Sequence, residues 1–426
     1  MLEEILKRIR PTEEEIKEIS NLAENVIKNI YDVANEKGYN ILEALWLGSS
    51  ARNTHLKGDH DIDIFILFDK SVSIDELEVI ALDIGKEVIK RLNGKCQINY
   101  ASHPYIQGIV GKYKVDIVPC YKINFGEKII SAVDRTPLHH KFLIERLDEK
   151  LCDEVRLLKA FLKSLNLYGS DVKTKGFSGY LCELLILHYK SFLNLLNDAK
   201  DWGERKKIIL NDIFELYKNP KFREFDEPLI VYDPVDLNRN VAAPLSRENY
   251  CKFIFFAREF LKNMNEEFFN DYYKKLEEKL ENRDKGFILT LKFPKTEVDD
   301  IIYPQLEKFQ KSLNKLIEQN EFKILNCKCY TDSDYAYIEW EFLVYQLPKI
   351  KLRDGPEVFE KERVEKFIKK YDKVFIKGCK LYAFTERKYC HILELFKDII
   401  EGKIKNISKP KHIDIKSGVI LWKQAT

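Results

Sequence analysis

The sequence predicts a multidomain α+β protein. Its 426 residues exceed the roughly 250 to 300 residues that one hydrophobic core supports, so we expect two to four domains. Apolar runs with a period of two alternate with helical spacing before residue 125, whereas residues 137–200 show helical spacing alone. Strand patterns return after residue 286. With 45% hydrophobic and 33% charged residues, and only 17 Gly and 13 Pro, a mainly disordered chain is excluded.

Helix and strand signals alternate along residues 12–121. Thr12 opens a capping box before a helical pattern that should end at Gly38. Ser73 opens a second capping box, and the helix behind it should last to about residue 92. Strands are predicted for residues 42–47, 61–68, 105–110 and 113–121, the last two as a hairpin. This order predicts a mixed sheet with helices.

The remaining elements follow from the same patterns. Residues 137–200 should form helices, and Ser246 should cap another helix. The segment YDPVDLNRNVAAPLS, residues 232–246, contains so many breaking residues that we expect no regular element there. Further predicted elements are strands at 287–293 and 335–345, a helix at 304–320, a helix after Pro356, strands within 374–384 and a helix at 390–400.

Charge is distributed unevenly along the chain. The net charge of +2 gives no general argument for nucleic-acid binding. From Lys351 to the end, however, there are 19 basic and 11 acidic side chains, and the preceding residues carry 52 basic and 58 acidic ones. The C-terminal segment is therefore a candidate for binding a polyanion, although solvated surface lysines would give the same count.

Nine cysteines are scattered without a CxxC pair, which argues against a disulfide framework or a zinc site. The charged N-terminus MLEEILKRIRPTEEE has no apolar signal core, and no run of about 18 apolar residues predicts a membrane span. We therefore expect a cytoplasmic protein with reduced cysteines.

The stretch LGSSARNTHLKGDHDIDIFILF carries the most chemical information. Because side chains alternate along a strand, Asp61 and Asp63 share one face. Asp116 lies alone within a second apolar strand pattern. Three carboxylates on a sheet favour hard divalent cations, Mg²⁺ first, and two ions could support phosphoryl or nucleotidyl transfer. Upstream, Gly48, Ser49 and Arg52 could contact a polyphosphate.

Each of these signals is weak by itself, since strand ends often carry two exposed acids. Their order along the chain makes coincidence a poor explanation, and it resembles the nucleotidyltransferase superfamily that includes DNA polymerase β. Further segments, SAVDRTPLHHKFL, VRLLKAFLK, YGSDVKTKGFSGYLCELLI and DPVDLNRNVA, resemble the archaeal, class I CCA-adding enzymes. The resemblance implies a nucleotidyltransferase head at 1–135, a helical neck at 136–265, an α/β body at 266–350 and a basic tRNA-binding tail at 351–426.

The resemblance also implies roles for single residues. The metal-binding carboxylates would be Asp61, Asp63 and Asp116, although relatives often carry Glu at the first position. Ser49 and Arg52 would contact the triphosphate. Further phosphate and sugar contacts would come from Thr136, His139, Lys159 and Tyr168, and base recognition from Arg239. The planar donors of an arginine can pair with acceptors on C and A but not with the N–H groups of U and G.

The implied activity is addition of C, C and A to the 3′ end of tRNA from CTP and ATP, with two Mg²⁺ ions and release of pyrophosphate. The tRNA would be bound by its acceptor stem and top half, and the family suggests a homodimer. Candidate tail contacts are Lys351, Arg353, Lys361, Arg363, Lys366, Lys369 and Lys370, with Gly355-Pro356 placing a helix N-terminus at a phosphate. Alternatives are a poly(A) polymerase, an oligoadenylate synthase or a related enzyme, or a non-catalytic RNA-binding protein.

Overall fold

The computed structural model describes residues 1–100 and 103–423, and its chain divides into two compact units, Met1–Glu278 and Lys279–Thr426. Both units combine helices with sheets, which confirms the predicted α+β class. The four-part division into head, neck, body and tail stays a prediction. Among the described residues, no helix combines the length and apolarity that crossing a membrane requires.

The first unit begins with a five-stranded sheet whose strand order is β1-β2-β5-β4-β3. Only the β2–β5 pair is parallel, so the sheet is mixed as predicted. The predicted capping box at Thr12 is formed, and Gly38 ends its helix with a positive φ of 70°. The elements are α1 Leu2–Ile9, α2 Glu13–Lys37, β1 Glu43–Leu47, α3 Gly48–Ala51, β2 Asp61–Phe68, α4 Ile74–Arg91, β3 Lys95–Tyr100, β4 Pro104–Val110 and β5 Tyr113–Tyr121.

The two faces of this sheet have different surroundings. Helices α2 and α4 cover one face, where Ile62, Ile64 and Ile66 of β2 enter the core. The alternate residues Phe65 and Leu67 point to the opposite face and pack in a smaller cluster. Asp61 and Asp63 precede them with the same alternation, so the carboxylates lie on the face opposite α2 and α4.

The rest of the first unit is mainly helical around one large core. The expectation for residues 232–246 was wrong, because this segment contributes most of a β-hairpin. Pro234 and Val235 form its turn, and Asp233 accepts a hydrogen bond from the Val235 amide, so the breaking residues sit where a hairpin tolerates them. The elements are α5 Arg135–Ile144, α6 Glu149–Ser164, α7 Gly179–Tyr189, α8 Phe192–Ala199, β6 Lys206–Ile208, α9 Asp212–Leu216, β7 Leu229–Asp233, β8 Asp236–Asn240, α10 Arg247–Lys262 and α11 Tyr272–Glu281, the last crossing the boundary between the units.

The second unit contains a four-stranded antiparallel sheet of order β10-β11-β9-β15 and a three-stranded sheet of order β12-β14-β13. Helices α12 and α14 pack on one face of the larger sheet. The elements are β9 Phe287–Pro294, α12 Asp299–Gln319, β10 Lys323–Thr331, β11 Tyr335–Val344, β12 Ile350–Glu357, α13 Lys361–Lys370, β13 Val374–Lys377, β14 Lys380–Glu386, α14 Ile392–Ile400 and β15 Val419–Lys423.

Two proline positions in this unit differ from expectation. Pro304 lies inside α12, which begins five residues earlier at Asp299, because the first turns of a helix need few donors from the backbone. Gly355 and Pro356 belong to β12, and α13 starts only at Lys361 with Glu360 as its cap. The idea that Gly355-Pro356 directs the N-terminus of that helix at a phosphate was therefore wrong.

Candidate active site

Two neighbouring strands carry the three predicted carboxylates on one face of the sheet. In the parallel β2–β5 pair, Asp63 lies opposite Asp116, and Asp61 lies opposite Lys114. The Lys114 ammonium is 3.6 Å from an Asp61 oxygen and 3.4 Å from an Asp116 oxygen. Gln107 on β4 donates a 3.0 Å hydrogen bond to Asp116. Asp61 and Asp116 therefore share one lysine, and Asp116 has a second polar neighbour in Gln107.

Gly48 makes room for the central carboxylate. It follows β1, whose last residue Leu47 pairs with Asp63, and its φ of +79° is left-handed. A Cβ atom on Gly48 would lie 1.9 Å from Oδ2 of Asp63. A side chain at this position would displace the carboxylate, so glycine is required here for both space and backbone conformation. Ser49, the next residue, is half-buried in α3.

Burial, and after it the neighbouring like charges, shift the pKa values of the acids in this cluster. Burial, followed by the charges of Asp116 and Asp61, raises the pKa of Asp63 to about 6. Burial also raises the pKa of Asp116, against the hydrogen bond from Gln107 and the charge of Lys114. Although burial opposes it, the pKa of Lys114 is raised by Asp116 and Asp61. A cation is thus favoured beside these acids, and Lys114 supplies one.

Carboxylate oxygens are the ligands that hard divalent ions prefer, so the donor set suits Mg²⁺. Within residues 1–100 and 103–423, however, no group of three or more His, Cys, Asp or Glu side chains is gathered closely enough to hold a metal ion. Asp61 and Asp116 lie near Lys114 instead. The residue types therefore suit a divalent ion. In the present arrangement Lys114, and not a metal-binding geometry, offsets the charge of Asp61 and Asp116.

Arg52 and Lys159 take part in a buried network that includes Glu183. The Arg52 guanidinium donates to both Glu183 oxygens at 3.1 and 2.8 Å, and these side chains are 8% and 0% exposed. Thr54 donates to the same carboxylate at 2.6 Å. The buried Lys159 ammonium donates to the Thr54 carbonyl at 2.9 Å. Although burial opposes ionisation, Arg52 and Lys159 lower the pKa of Glu183. Arg52 and Lys159, both predicted to bind phosphate, thus already donate hydrogen bonds to groups of the protein.

A second buried carboxylate, Asp233, organises the predicted base-recognition arginine. Its oxygens accept from Arg239 and interact with His139 Nε2, each at 2.8 Å, and Tyr180 donates at 3.2 Å. The His139 ring stacks on Tyr180 at 4.0 Å. Burial opposes ionisation, but His139 and Arg239 lower the pKa of Asp233. Arg239 itself is 37% exposed, so one side of its guanidinium is anchored and the rest faces outwards.

The two remaining predicted residues lie on α5 and behind α6. Thr136 precedes His139 by three residues, which places both on one face of α5. Tyr168 is half-buried, and the Lys163 ammonium lies 5.5 Å from its ring centre. The Tyr168 hydroxyl would be 3.1 Å from a Cβ atom built on Gly179, at the start of α7. Tyr168 therefore lies beside the start of α7, the helix that carries Glu183.

Sequence reasoning missed several partners in this region, among them Lys114, Glu183, Asp233 and Tyr180. Lys114 could have been found, because it shares the face of Asp116 at a spacing of two. Glu183 could have been noticed as the single acid in the apolar segment GYLCELLIL. Asp233 is the first residue of DPVDLNRNVA, a segment from which only Arg239 was predicted as a site residue. Tyr180 had no distinguishing signal.

Fold and site together define the class of this protein. A Gly-Ser turn beside three carboxylates on adjacent strands is the arrangement of a nucleotidyltransferase, and the nucleotidyltransferase domain model matches residues 27–139. Two further models match, tRNA nucleotidyltransferase second domain at residues 153–270 and CCA-adding enzyme C-terminal domain at 285–418. The three models together cover most of the chain.

Individual relatives narrow the class. The CCA-adding enzyme of Methanocaldococcus jannaschii is 66% identical over 99% of this chain and 95% of its own length. That of Pyrococcus abyssi is 39% identical over 94% of this chain and 89% of its own. The chain belongs to the family of CCA-adding enzymes, which confirms the predicted family and enzyme class. Among solved structures, the RNA terminal uridylyl transferase Cid1 aligns at 15% identity with a TM-score of 0.47, over 65% of this chain and 96% of that chain.

Proposed function

We propose that this enzyme extends the 3′ end of tRNA with C, C and A from CTP and ATP, releasing pyrophosphate. Family membership supports the proposal. The single structural observation that carries it is the register of β2 and β5, which sets Asp63 opposite Asp116 beside Gly48. A non-catalytic RNA-binding protein would have no need to keep three mutually repelling acids on one sheet face.

The acids would serve as the metal ligands. Asp61, Asp63 and Asp116 would hold two Mg²⁺ ions, which when bound lower the pKa of the RNA 3′-hydroxyl and neutralise the triphosphate. Gly48 leaves the central carboxylate its space. Lys114 lies near two of the acids and would offset their charge when no substrate is bound. Ser49 would donate its hydroxyl to a phosphate oxygen.

Arg52 and Lys159 would have a structural role in addition to phosphate binding. Since Glu183 and the Thr54 carbonyl already accept from them, we propose that they first hold the segment after Gly48 against α6 and α7. They would contact the triphosphate only when Glu183 releases them. The same segment is also held by Arg156, which donates to the carbonyl of His55 at 3.0 Å. Thr136, His139 and Tyr168 would complete the phosphate and sugar contacts.

Base selection would depend on Arg239. Asp233 fixes one guanidinium nitrogen, and the outward donors could pair with acceptors on C and A. U and G present an N–H group there, which an arginine cannot accept. Arg239→Ala should therefore lose discrimination against UTP and GTP while largely retaining triphosphate binding. Continued exclusion of UTP by this variant would place base selection elsewhere.

The RNA would be held mainly through its backbone, because A-form helices hide their base edges in a deep groove. Arg353 of β12 and four lysines of α13 are exposed, whereas Lys351 pairs with Glu321 and Arg363 with Glu360. The exposed lysines of α13 are Lys361, Lys366, Lys369 and Lys370. We therefore propose α13 as the strongest phosphate-binding element of the tail. A homodimer and a cytoplasmic location remain predictions.

The deciding experiment supplies purified enzyme with tRNA ending before CCA, after the first C, and after the second C. Each RNA is offered one nucleoside triphosphate at a time. We expect C, C and A to be incorporated in that order, and Asp116→Asn to abolish incorporation while tRNA binding persists. Asp75→Asn, an exposed aspartate of α4, is the matched control and should remain active. Unlimited A tails, or products made without RNA, would contradict the assignment.

A further inference from the structure

In the larger sheet of the second unit, α12 and α14 pack on one face only. Side chains of β9 and β11 alternate, so Leu289, Leu291 and Trp340 enter the core under α12 and α14. The opposite face presents an aromatic and basic cluster. We call it the tyrosine face and define it by Tyr330 on β10, Tyr335 and Tyr337 on β11, Lys292 on β9 and Lys328 on β10.

The rings of the tyrosine face are ordered as a stacking platform. Tyr330 and Tyr337 lie almost parallel, with ring centres 4.7 Å apart and planes inclined by 13°. Tyr335 follows at 6.3 Å from Tyr337. The Lys292 ammonium lies 3.5 Å from the centre of the Tyr335 ring and 5.8 Å from that of Tyr337. Tyr330 is 37% exposed, so a flat ligand can reach this surface.

Hydrogen bonds hold the rings in place. The Tyr337 hydroxyl donates to Asp332 at 2.7 Å, and the Tyr330 hydroxyl donates to Glu339 at 3.5 Å. Glu339 also forms an ion pair with Lys328 at 3.3 Å. Asp332 and Glu339 are therefore engaged inside the unit, and two of the three rings, Tyr330 and Tyr337, are positioned before any ligand arrives, which reduces the entropy cost of binding.

A groove continues the platform towards β15. Its volume is about 190 Å³, enough for a planar ring, and it combines apolar, hydroxyl and charged groups. Its lining residues are Ile288, Thr290, Glu339, Leu421, Trp422 and Lys423. The Trp422 ring itself lies on the other face of the sheet, since Trp422 pairs with Leu289 and stacks on Phe287. The groove therefore adds the polar groups of Thr290 and Glu339 and the charge of Lys423 beside the tyrosine face.

We propose that the tyrosine face binds unpaired nucleotides of RNA. Every nucleobase has a flat face that stacks on an aromatic ring, and lysines beside the rings meet the phosphates that link the bases. Four-stranded antiparallel sheets with aromatic residues on their central strands bind single-stranded RNA in this way. Base-paired RNA has its flat faces covered by neighbouring pairs, so it fits this surface poorly. The site is additional to the carboxylate site, which lies in the other unit.

The test measures binding of the full chain to a single-stranded RNA of about eight nucleotides, and to an RNA duplex of similar length, by fluorescence anisotropy. We expect the single strand to bind more tightly than the duplex. Replacing both rings, Tyr335→Leu with Tyr337→Leu, should weaken single-strand binding by about 10-fold or more, because each stacked base contributes substantially. The pair Tyr335→Phe with Tyr337→Phe keeps the rings and should bind within about threefold of the parent, since stacking dominates.

Two controls separate this site from other effects. Tyr100→Leu removes a tyrosine that is 75% exposed on β3 of the first unit, and should leave single-strand binding unchanged. Lys292→Met should lower the slope of log affinity against log salt by about 0.7, the value for one lost phosphate contact on a single strand. Circular dichroism of every variant shows whether the sheet remains folded.

Two results would overturn the proposal. The parent chain could bind the duplex as tightly as the single strand, or the folded double leucine variant could bind as tightly as the parent. If, in the second case, the variant also forms smaller oligomers than the parent, the tyrosine face is an interface between copies of the chain. Incorporation at saturating tRNA is measured in parallel, because it reports on the carboxylate site. Its absence from the parent chain would refute the proposed function and leave this binding test intact.

Discussion

Replacing Glu183 by glutamine tests whether Arg52 is part of the folded framework. The glutamine has nearly the same shape but no charge, so Arg52 would lose its ionic partner in a place where its side chain is 8% exposed. Lys159, also buried, would lose the same negative charge. Removing one partner of a buried ion pair costs about 3 to 5 kcal/mol. We expect Glu183→Gln to lower the free energy of unfolding of the first unit by that amount.

The assay is denaturant unfolding followed at several pH values. The pKa of Glu183 is lowered in the folded protein, so its contribution to stability is complete above the unfolded pKa of about 4.5 and is lost as the pH falls through the folded value. The difference between parent and variant should therefore be largest near neutral pH and should shrink in acid. A constant difference across this range would mean that packing rather than charge is responsible.

Glu36→Gln is the matched control for this experiment. Glu36 also pairs with an arginine, Arg91, through both oxygens, but on the surface of the same unit. Surface ion pairs contribute little, so this variant should unfold almost as the parent does. If Glu183→Gln proved as harmless as Glu36→Gln, the Glu183 network would not hold the segment after Gly48. Arg52 would then have a role in substrate binding only and no role in stability.

Three further predictions concern the site and the tail. Gly48→Ala should lower incorporation by about 100-fold or more, because its Cβ atom displaces the Asp63 carboxylate. Asp233→Asn should reduce the preference for CTP over UTP by about 10-fold, since Arg239 loses a charged hydrogen-bond partner. Replacing three exposed lysines of α13 by glutamate should lower the salt slope of tRNA binding by up to about 3, measured by titration. These lysines are Lys366, Lys369 and Lys370.

Each of the three has a control in the same chain. Gly58 has the same φ of +79° as Gly48, but a Cβ atom added there would meet open space. Gly58→Ala should therefore retain incorporation. If Gly48→Ala and Gly58→Ala lose incorporation equally, the clash with Asp63 is not the cause. Asp236 lies in the same hairpin as Asp233 but pairs with Arg135 instead of Arg239, so Asp236→Asn is the control for Asp233→Asn. If both variants lose the preference for CTP equally, the cause is a general disruption of the hairpin. For α13, the control replaces three exposed lysines of α11 by glutamate. If both triple variants lower the salt slope of tRNA binding equally, α13 has no specific role in binding tRNA. The three lysines of α11 are Lys274, Lys275 and Lys279.

Part of the site could be predicted because its signals are local. The alternation of β2 placed Asp61 and Asp63 on one face, and the cap at Thr12 with Gly38 bounded a helix correctly. The hairpin at residues 232–246 was missed because breaking residues were counted without asking whether they could occupy a turn. Pro304 was similarly taken as the start of a helix that already contains it.

The sequence by itself determined the chemistry available to this protein: three acids, a Gly-Ser turn and the arginines and lysines of the later motifs. Only the tertiary structure decided how they are used. Arg52 meets Glu183 across 131 positions of the chain, and Lys114 is brought against Asp61 by the pairing of β2 and β5. Local patterns report the periodicity of a single element. The partner of a buried charge depends on which elements pack together, and that is set by the whole fold.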